Sequence, residues 1–485
     1  MRSTLAALLV VLLGGFGYAQ TASNAQTLPD AQSAADSQAA PVAAAPQTAN
    51  AFGFRSGASL GTDTLPTGPL SGGNPTMESW TLLAFQPDIS FGKFGIGLDL
   101  GLHFQLYPQG SNNSVEIYQG DWVPDYQGNG RTFLDVYLPK FMYVRYGIKG
   151  EDPFFAKLGS IDDLTLGNGF IMGDYTNTLF LPDRRIFGLD FGLDGSAFDF
   201  PYAGFEGLAG NVAHFDVVGG RAYLRPLAGS EIPIVKDMQV GATAVFDTDP
   251  YLYTDTSVGG PYPASSAIGV YGADVTVPIR GGKLFPLTAF TDVAFEPNKS
   301  SGEMIGANGR VIGVFLYGAQ LRLFQPGFIP DYFDSAYDLY RAQKYAYMQL
   351  SPTGDTYLGW YTSLGTAFLG DKIVFKVSLD GPFQALPASY LPGVTPQTAY
   401  PHAKATFHFG EGIIPFFFDA SYEKYYLGAY RGFFPDLVDP TNAVMILSIN
   451  YRTGATVLTL RYNAAYDPTT DSFDVSSSIS ASVKF

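Results

Sequence analysis

The chain contains no cysteine. Disulfides, thiolate metal sites and a lipid-modified N-terminal cysteine are therefore excluded. Charge is scarce too: Asp, Glu, Lys and Arg make up 15% of 485 residues, against about 25% in an ordinary soluble domain. Within that small share bases are the minority, 28 against 44 acids, for a net charge of −16. A chain this acidic lacks the positive field that draws nucleic acid. Long apolar runs are missing as well. Past the leader, no stretch approaches the about 20 apolar residues that a membrane-crossing helix needs. Yet hydrophobic residues reach 46% and aromatics 15%. Apolar content on that scale, without helical spans, fits strands that are greasy on one face.

The N-terminus, MRSTLAALLVVLLGGFGYAQ, is the one exception. Arg2 supplies a positive start, Leu5 to Leu13 an apolar stretch, and Gly17-Tyr18-Ala19 a small-x-small cleavage site. Residues 1–19 thus read as a cleaved secretory signal peptide. Its loss, with Arg2, takes the net charge to −17. Residues 20–50 are mostly Ala, Gln, Ser, Thr and Pro, with Asp30 and Asp36 the only charges. Such a segment buries no core and reads as a disordered periplasmic linker. Residues 51–485 remain for one large domain.

That domain is organised around Phe94–Tyr107, FGIGLDLGLHFQLY. Phe94, Ile96, Leu98, Leu100, Leu102, Phe104 and Leu106 fall on every second position, with Gly, Asp99, His103 and Gln105 between. A period of two is a strand. A soluble strand has about 5–6 residues, whereas a tilted strand crossing a bilayer needs about 9–11. The pattern recurs along the chain, as at Ala51–Leu60, Ser79–Phe91, Arg185–Asp194, Val311–Leu323, Thr356–Phe368 and Ala455–Tyr466. Tight turns such as Gly92-Lys93, Gly370-Asp371 and Thr453-Gly454 alternate with longer loops. In a membrane barrel the short turns face the periplasm. Parity then requires one more strand between Gln325 and Asp355. The candidate is Ser335–Leu350, SAYDLYRAQKYAYMQL, whose poor alternation reads equally as a short helix. The expected fold is all-β: a closed antiparallel transmembrane β-barrel of about 18–20 strands, with periplasmic N- and C-termini.

The last segment places Phe473, Val475, Ser477, Ile479, Ala481, Val483 and Phe485 on one face. An alternating final strand ending in Phe resembles the β-signal of bacterial outer-membrane barrels, with Ile479, Ala481, Val483 and Phe485 as its core. The body, including LGNGFIMGDYTNTLFLPDRR, looks like porin-like barrels. The resemblance implies a bacterial outer-membrane location, a lipid bilayer around the barrel, and the barrel-assembly machinery as a partner during biogenesis.

No catalytic constellation emerges. His402 and His408 share a face, but six residues along a strand separate them by about 20 Å, too far to hold one metal. His103 with Asp99 is the nearest approach to an acid–base pair, and reads more simply as a polar lumen pair. The chain is expected to be neither an enzyme nor a cofactor binder. Pore-lining or constriction candidates are Asp99, His103, Arg145, Asp174, Asp183, Arg184, Arg185, Arg221, Arg225, Asp274, Asp292, Arg322, Asp419 and Arg461. Acids and bases on inward positions are about equal. They either oppose one another across a wet lumen, as at a porin constriction, or pair locally. The Gly167–Arg184 segment is too apolar to stand in water. It is expected to fold into the lumen or over the rim. Gln325–Asp334 is a second such segment, assigned to the periplasmic mouth. The excess acid is expected at the outer mouth, at Asp162, Asp163, Asp174, Asp183, Asp249, Asp255, Asp436 and Asp439, giving mild cation selectivity that salt screens. The expected function is passive diffusion of small hydrophilic solutes. The alternatives are a transporter of hydrophobic substrates and a surface adhesin or structural barrel.

Overall fold

The computed structural model describes residues 52–484, apart from 68–75, 107–113, 129, 162, 181–184, 233–234, 254–265, 281–284, 351–353, 385, 387–398, 454–455 and 468–471. The signal peptide, the linker, Asp183, Arg184 and Phe485 lie outside the described residues.

One antiparallel sheet holds all 22 strands. They are β1 (Phe52–Thr67), β2 (Thr76–Phe91), β3 (Phe94–Leu98), β4 (Leu100–Leu106), β5 (Val115–Ile117), β6 (Phe141–Tyr146), β7 (Phe154–Gly159) and β8 (Gly188–Asp194). Next come β9 (Ala203–Ala209), β10 (Val217–Leu224), β11 (Gln239–Asp247), β12 (Ile268–Arg280), β13 (Pro286–Phe295), β14 (Ser301–Val311) and β15 (Phe315–Phe324). The rest are β16 (Tyr357–Phe368), β17 (Ile373–Pro382), β18 (His402–Phe409), β19 (Phe416–Lys424), β20 (Ala443–Thr453), β21 (Thr456–Asp467) and β22 (Ser472–Lys484). Three short helices interrupt them: α1 (Phe133–Tyr137), α2 (Tyr337–Met348) and α3 (Phe433–Val438).

Within the organising stretch, Phe94–Leu106 is β3 and β4, broken only at Asp99. Both pieces keep one register against β2, with Asp88 opposite Gly97 and Phe85 opposite Leu100. A bulge between Gly97 and Leu98 shifts the pairing with β6, and the freed Asp99 N–H donates to the Lys140 carbonyl at 2.7 Å. The 22 segments, less one because β3 and β4 form a single arm and less the three-residue β5, make 20 arms among the described residues. Each arm pairs with its chain neighbours, and the last pairs with the first: Gly57 faces Lys484 and Gly61 faces Ser480.

Burial is inverted relative to a soluble protein. Along β11, Gln239, Thr243 and Asp247 are buried while Val240, Ala242 and Phe246 are exposed. On β15, Leu321 is 48% exposed and its neighbour Arg322 only 3%. Large apolar side chains thus face outward all around the sheet, including Phe85, Phe205, Tyr271, Leu364 and Leu458.

Two expectations are corrected. Ser335–Leu350 is not a strand. It contains α2, whose Tyr337, Tyr340, Arg341, Lys344, Tyr345 and Met348 are buried at helical spacings of three and four. The arm that satisfies parity is β14, which pairs with β13 and β15. With that exchange, β1 begins and β22 finishes at the end of the sheet that carries the short turns. The second correction concerns the segment after Gln325. Phe324 of β15 lies opposite Gly302 and Tyr357, so 325–356 leaves from the same long-loop end as 160–187, not from the opposite mouth.

The tight turn joining β14 to β15 stores a local strain. Ile312 adopts φ +55° beside Gly313 at +69°, in a left-handed region costly for a β-branched residue. Ile312→Asn is expected to stabilise the folded protein by roughly 1 kcal/mol, read as a higher denaturant midpoint. An unchanged or lower midpoint would show that the turn is unstrained.

Candidate functional site

The lumen face of the sheet is filled on one side by the two long segments. The first, 160–180, is itself a hairpin: Leu164 and Tyr175 exchange backbone hydrogen bonds of 2.9 and 3.0 Å, and Leu166 N–H donates to Met172 at 3.1 Å. Its tip needs glycine at Gly167, where φ is +60° and a Cβ would sit 3.1 Å from Arg221 Nε. The tip is clasped to the wall, with Asn168 donating to Asp292 at 2.7 Å and accepting from Thr276 at 3.0 Å. The second segment lies beside the first: Asp331 N–H donates to Phe170 and Phe333 N–H to Ile171, both at 3.1 Å. Phe170, Ile171, Met172, Phe328 and Phe333 then bury against Val245, Val270, Phe290 and Phe324 from the wall. An apolar core has formed inside the sheet, which explains why Gly167–Arg184 is so greasy. Phe180 packs edge-on against Tyr253 at 5.2 Å.

From this insert α2 runs on as a cross-bar. On one side Arg341 binds Asp216 at 2.7 Å and Asp247 at 2.7 Å through Nη2 and 3.2 Å through Nε, while Tyr337 donates to Asp247 at 2.6 Å. On the other, Tyr340 packs on Tyr425 at 5.0 Å. One guanidinium here faces three carboxylates, since Asp338 also lies 3.7 Å away. In a dry site the excess acid is protonated rather than ionised. Burial, reinforced by Asp216 and Asp247 against the pull of Arg341, pushes the Asp338 carboxyl up to about 8. Asp331 is likewise pushed up to about 7, by burial that outweighs Arg322.

The insert's polar edge meets β15 and β17–β19. Lys404 donates to Asp174 at 2.9 Å and to Ser335 at 3.0 Å, and Ser335 donates to Glu423 at 2.7 Å. His402 lies 2.9 Å from Asp380 and 3.0 Å from Glu423. Arg322 reaches Asp380 at 3.6 Å and Asp331 at 3.9 Å. Lys404 holds the Asp174 carboxyl well below its ordinary value, while burial beside Asp174 pushes Asp163 well up.

The remaining sequence candidates pair locally. Arg221 and Asp274 form a buried two-pronged pair at 2.9 and 2.6 Å. Asp99 binds Arg185 at 2.8 Å and Arg225 binds Asp194 at 2.5 Å. His103 is not matched with Asp99. Its ring nitrogens lie 3.0 Å from Asp63 and 2.9 Å from Asp121. Asp419 faces His408 at 2.6 Å, Arg461 stands opposite Ser448 on the lumen side, and Arg145 lies beside the Tyr143 ring at 6.0 Å. For the assembly segment, only the backbone of Ala481 and Val483 against Leu60 and Ala58, and of Ile479 against Leu460, is described.

The structure brings Asp174 and Arg322 into one cluster with His402 and Lys404. The sequence reading missed Asp331, Ser335, Asp380 and Glu423 there, and Asp216, Asp247 and Arg341 behind it. The spacing of Tyr337, Arg341 and Lys344 was the available signal. Asp163 and Asp174 are inside the lumen, not on the outer mouth. Asp436 accepts from the Tyr430 and Arg431 N–H groups at 3.0 Å, and Asp439 pairs with Arg431 at 3.0 Å. Asp249 accepts from the Tyr251 N–H at 3.4 Å, and Asp162, Asp183 and Asp255 lie outside the described residues.

No family model and no curated protein matches the chain. Solved structures do. Wzi, an outer-membrane protein involved in group 1 capsule assembly in Escherichia coli and a carbohydrate-binding β-barrel, is 11% identical, with 89% of this chain and 84% of that one covered and a TM-score of 0.34. A BenF-like porin from Pseudomonas fluorescens Pf-5 is 12% identical, with 90% and 98% covered and a TM-score of 0.33. Pseudomonas aeruginosa OccK1 (OpdK) is 9% identical, with 89% and 98% covered and a TM-score of 0.34. The chain is thus similar to outer-membrane β-barrels, porins among them.

The Arg341 cluster makes a pH prediction. Asp338 in the folded protein keeps a proton that the unfolded chain releases above about pH 4. Its contribution is full below that pH and is lost as pH rises to about 8. The denaturant midpoint for protease cleavage within 325–356 is expected to fall from pH 5 to pH 9, and to fall less in Asp338→Asn. A midpoint that rises over this range contradicts the assignment. Arg341→Met leaves Asp216 and Asp247 buried and unpaired, and is expected to cost about 3–5 kcal/mol.

Proposed function

We propose that the chain is a bacterial outer-membrane channel for passive diffusion of small hydrophilic solutes. In this reading the β1–β22 pairing closes a barrel, and the short-turn end, with both termini, faces the periplasm. The observation that carries it is the inverted burial: large apolar side chains turn outward along the sheet while charged ones such as Arg221, Asp247, Asp274 and Arg322 are buried inside. Backbone groups can cross a bilayer in a sheet only when the strands leave no open edge, and the pairing of Gly57–Gly61 with Ser480–Lys484 supports closure in that sense. The exposed Phe91, Phe94, Phe154, Phe368, Phe416 and Tyr451 beside the short turns fit an aromatic girdle at one interface.

The path for solute runs beside the insert, not through it. Lumen residues of β9–β15 near the long loops, such as Leu208, Val245, Phe290 and Phe324, are covered by the apolar segments. Lumen positions on β17–β20, such as Thr406, His408, Asp419, Ser421 and Ser448, stay partly exposed. The apolar residues of the insert are consumed by packing, which takes away the motive for a hydrophobic-ligand pocket. Assembly through the last strand by the barrel-assembly machinery belongs to the same proposal.

Two measurements test it. The purified, detergent-refolded protein is expected to give ohmic steps in a planar bilayer, and a folded protein without conductance contradicts the channel. Leu100→Arg places a charge on the outer face and is expected to cost roughly 2–4 kcal/mol. Gly101→Arg points inward, where a Cβ meets only the Leu82 Cδ1 at 3.1 Å, and is expected to fold. The reverse outcome inverts the faces.

A further inference from the structure

The lumen bases of the described residues are nearly all answered by acids. Arg221, Arg225, Arg310, Arg322 and Lys404 each pair with a carboxylate. Lys376 is different. It projects from β17 on the lumen side, half-buried, and makes no hydrogen bond or ion pair among the described residues. Its neighbours at the same height are small and neutral: Gly365 on β16, Thr406 on β18 and, one strand further, Ser421 on β19. A Cβ at Gly365 would lie 2.6 Å from the Phe375 carbonyl and 3.3 Å from Lys376 Cβ, so the backbone opposite Lys376 calls for glycine. One register step toward the long loops stand Ser363, Ser378 and Lys404.

The charges facing Lys376 are Lys404 from β18, Asp174 and Asp163 from the insert, and the Tyr361 phenol from β16. Asp174 is committed to Lys404 at 2.9 Å. Asp163 shares a hydrogen bond with Asp174 and is pushed toward its neutral form by burial. Lys404 also faces Glu423, which His402 answers in turn, so Lys376 is left as the ammonium with no carboxylate of its own among the described residues. The local excess is positive, within a chain that is acidic overall.

We infer that Lys376, with the Thr406 and Ser421 hydroxyls, forms a subsite for one oxyanion group of a small solute. This deepens the channel reading and rests on it. A carboxylate or phosphate oxygen would take a charge-assisted hydrogen bond from the ammonium, and the hydroxyls would bond its other oxygens. The Lys404–Asp174 pair stays intact and marks the insert side of the site. Such a group held beside the channel path slows the anion's passage while it is bound, and sets a preference that acts at a distance of one contact.

The test uses the full chain refolded in detergent, with lactate, inorganic phosphate and glycerol as probes. Saturation-transfer NMR for lactate and phosphorus line broadening for phosphate are expected to show binding by at least one anion, and glycerol none. Lactate alone assigns a carboxylate site, and phosphate alone a phosphate site. Lys376→Met and Lys376→Gln are expected to weaken binding about tenfold, with Lys376→Arg restoring it. Unchanged binding in both neutral variants overturns the subsite, as does absence of anion binding in the unaltered protein. Single-channel current on the same preparation reads the channel separately. Binding without current keeps the subsite and removes the channel, whereas current without binding does the reverse.

Discussion

Everything in this structure follows from strands that are apolar on the outside. A sheet that turns Phe85, Phe205, Tyr271 and Leu458 outward cannot leave a backbone edge unpaired in an apolar surrounding, because each orphaned N–H or C=O costs several kcal/mol there. The pairing of β22 with β1 over Gly57–Gly61 fits that constraint, and the tightest turns lie at one end. The longest connections lie at the other end, where both insert segments originate.

The same inversion sends the polar residues inward, where they need partners as well. The insert supplies many of them. Its apolar faces pack on the inward Val245, Phe290 and Phe324 of β11, β13 and β15, while its edges carry Asp174, Asp331, Ser335 and Arg341 to charges on the wall. The bonds differ in kind across the lumen. Toward β10 and β11, Arg341 is buried among three acids, a costly arrangement that fixes α2 in one place. Toward β17–β19 the contacts are hydrogen bonds among the partly exposed Lys404, Asp174 and Ser335 and the buried Glu423. The insert is therefore anchored by buried charge on one side and by partly exposed contacts on the other.

The strands were legible because period-two alternation is local. Phe94–Tyr107 kept its facing even through the break at Asp99, since β3 and β4 hold one register on β2. β14 escaped because SGEMIGANGRV has only Met304 and Ile305 as large apolar residues before its final Val311 and presents Glu303, Ala307 and Gly309 outward, so no stripe appears. Ser335–Leu350 had been needed as a strand by parity. Its Tyr337, Tyr340, Arg341, Lys344, Tyr345 and Met348 recur at spacings of three and four, the helical period, and the true missing arm lay earlier. The burial of Phe170–Met172 was legible from composition alone. Which acid meets which base was not: Asp174 reaches Lys404 across 230 residues, and only the register of the sheet and the path of the insert decide that pairing.

The absence of cysteine gives the central claim, a water-filled half-lumen inside an apolar-faced barrel, a direct measurement. Single cysteines placed along β20 in protein reconstituted into liposomes can be challenged with a water-soluble maleimide. Ser448 and Asn450 lie on the lumen side, opposite Asp419 and Thr459, and Leu447 and Ile449 on the outer side. The account predicts that Ser448→Cys and Asn450→Cys react while Leu447→Cys and Ile449→Cys do not until the bilayer is dissolved. Equal reactivity at all four, or reaction at the Leu447 and Ile449 positions alone, would contradict it.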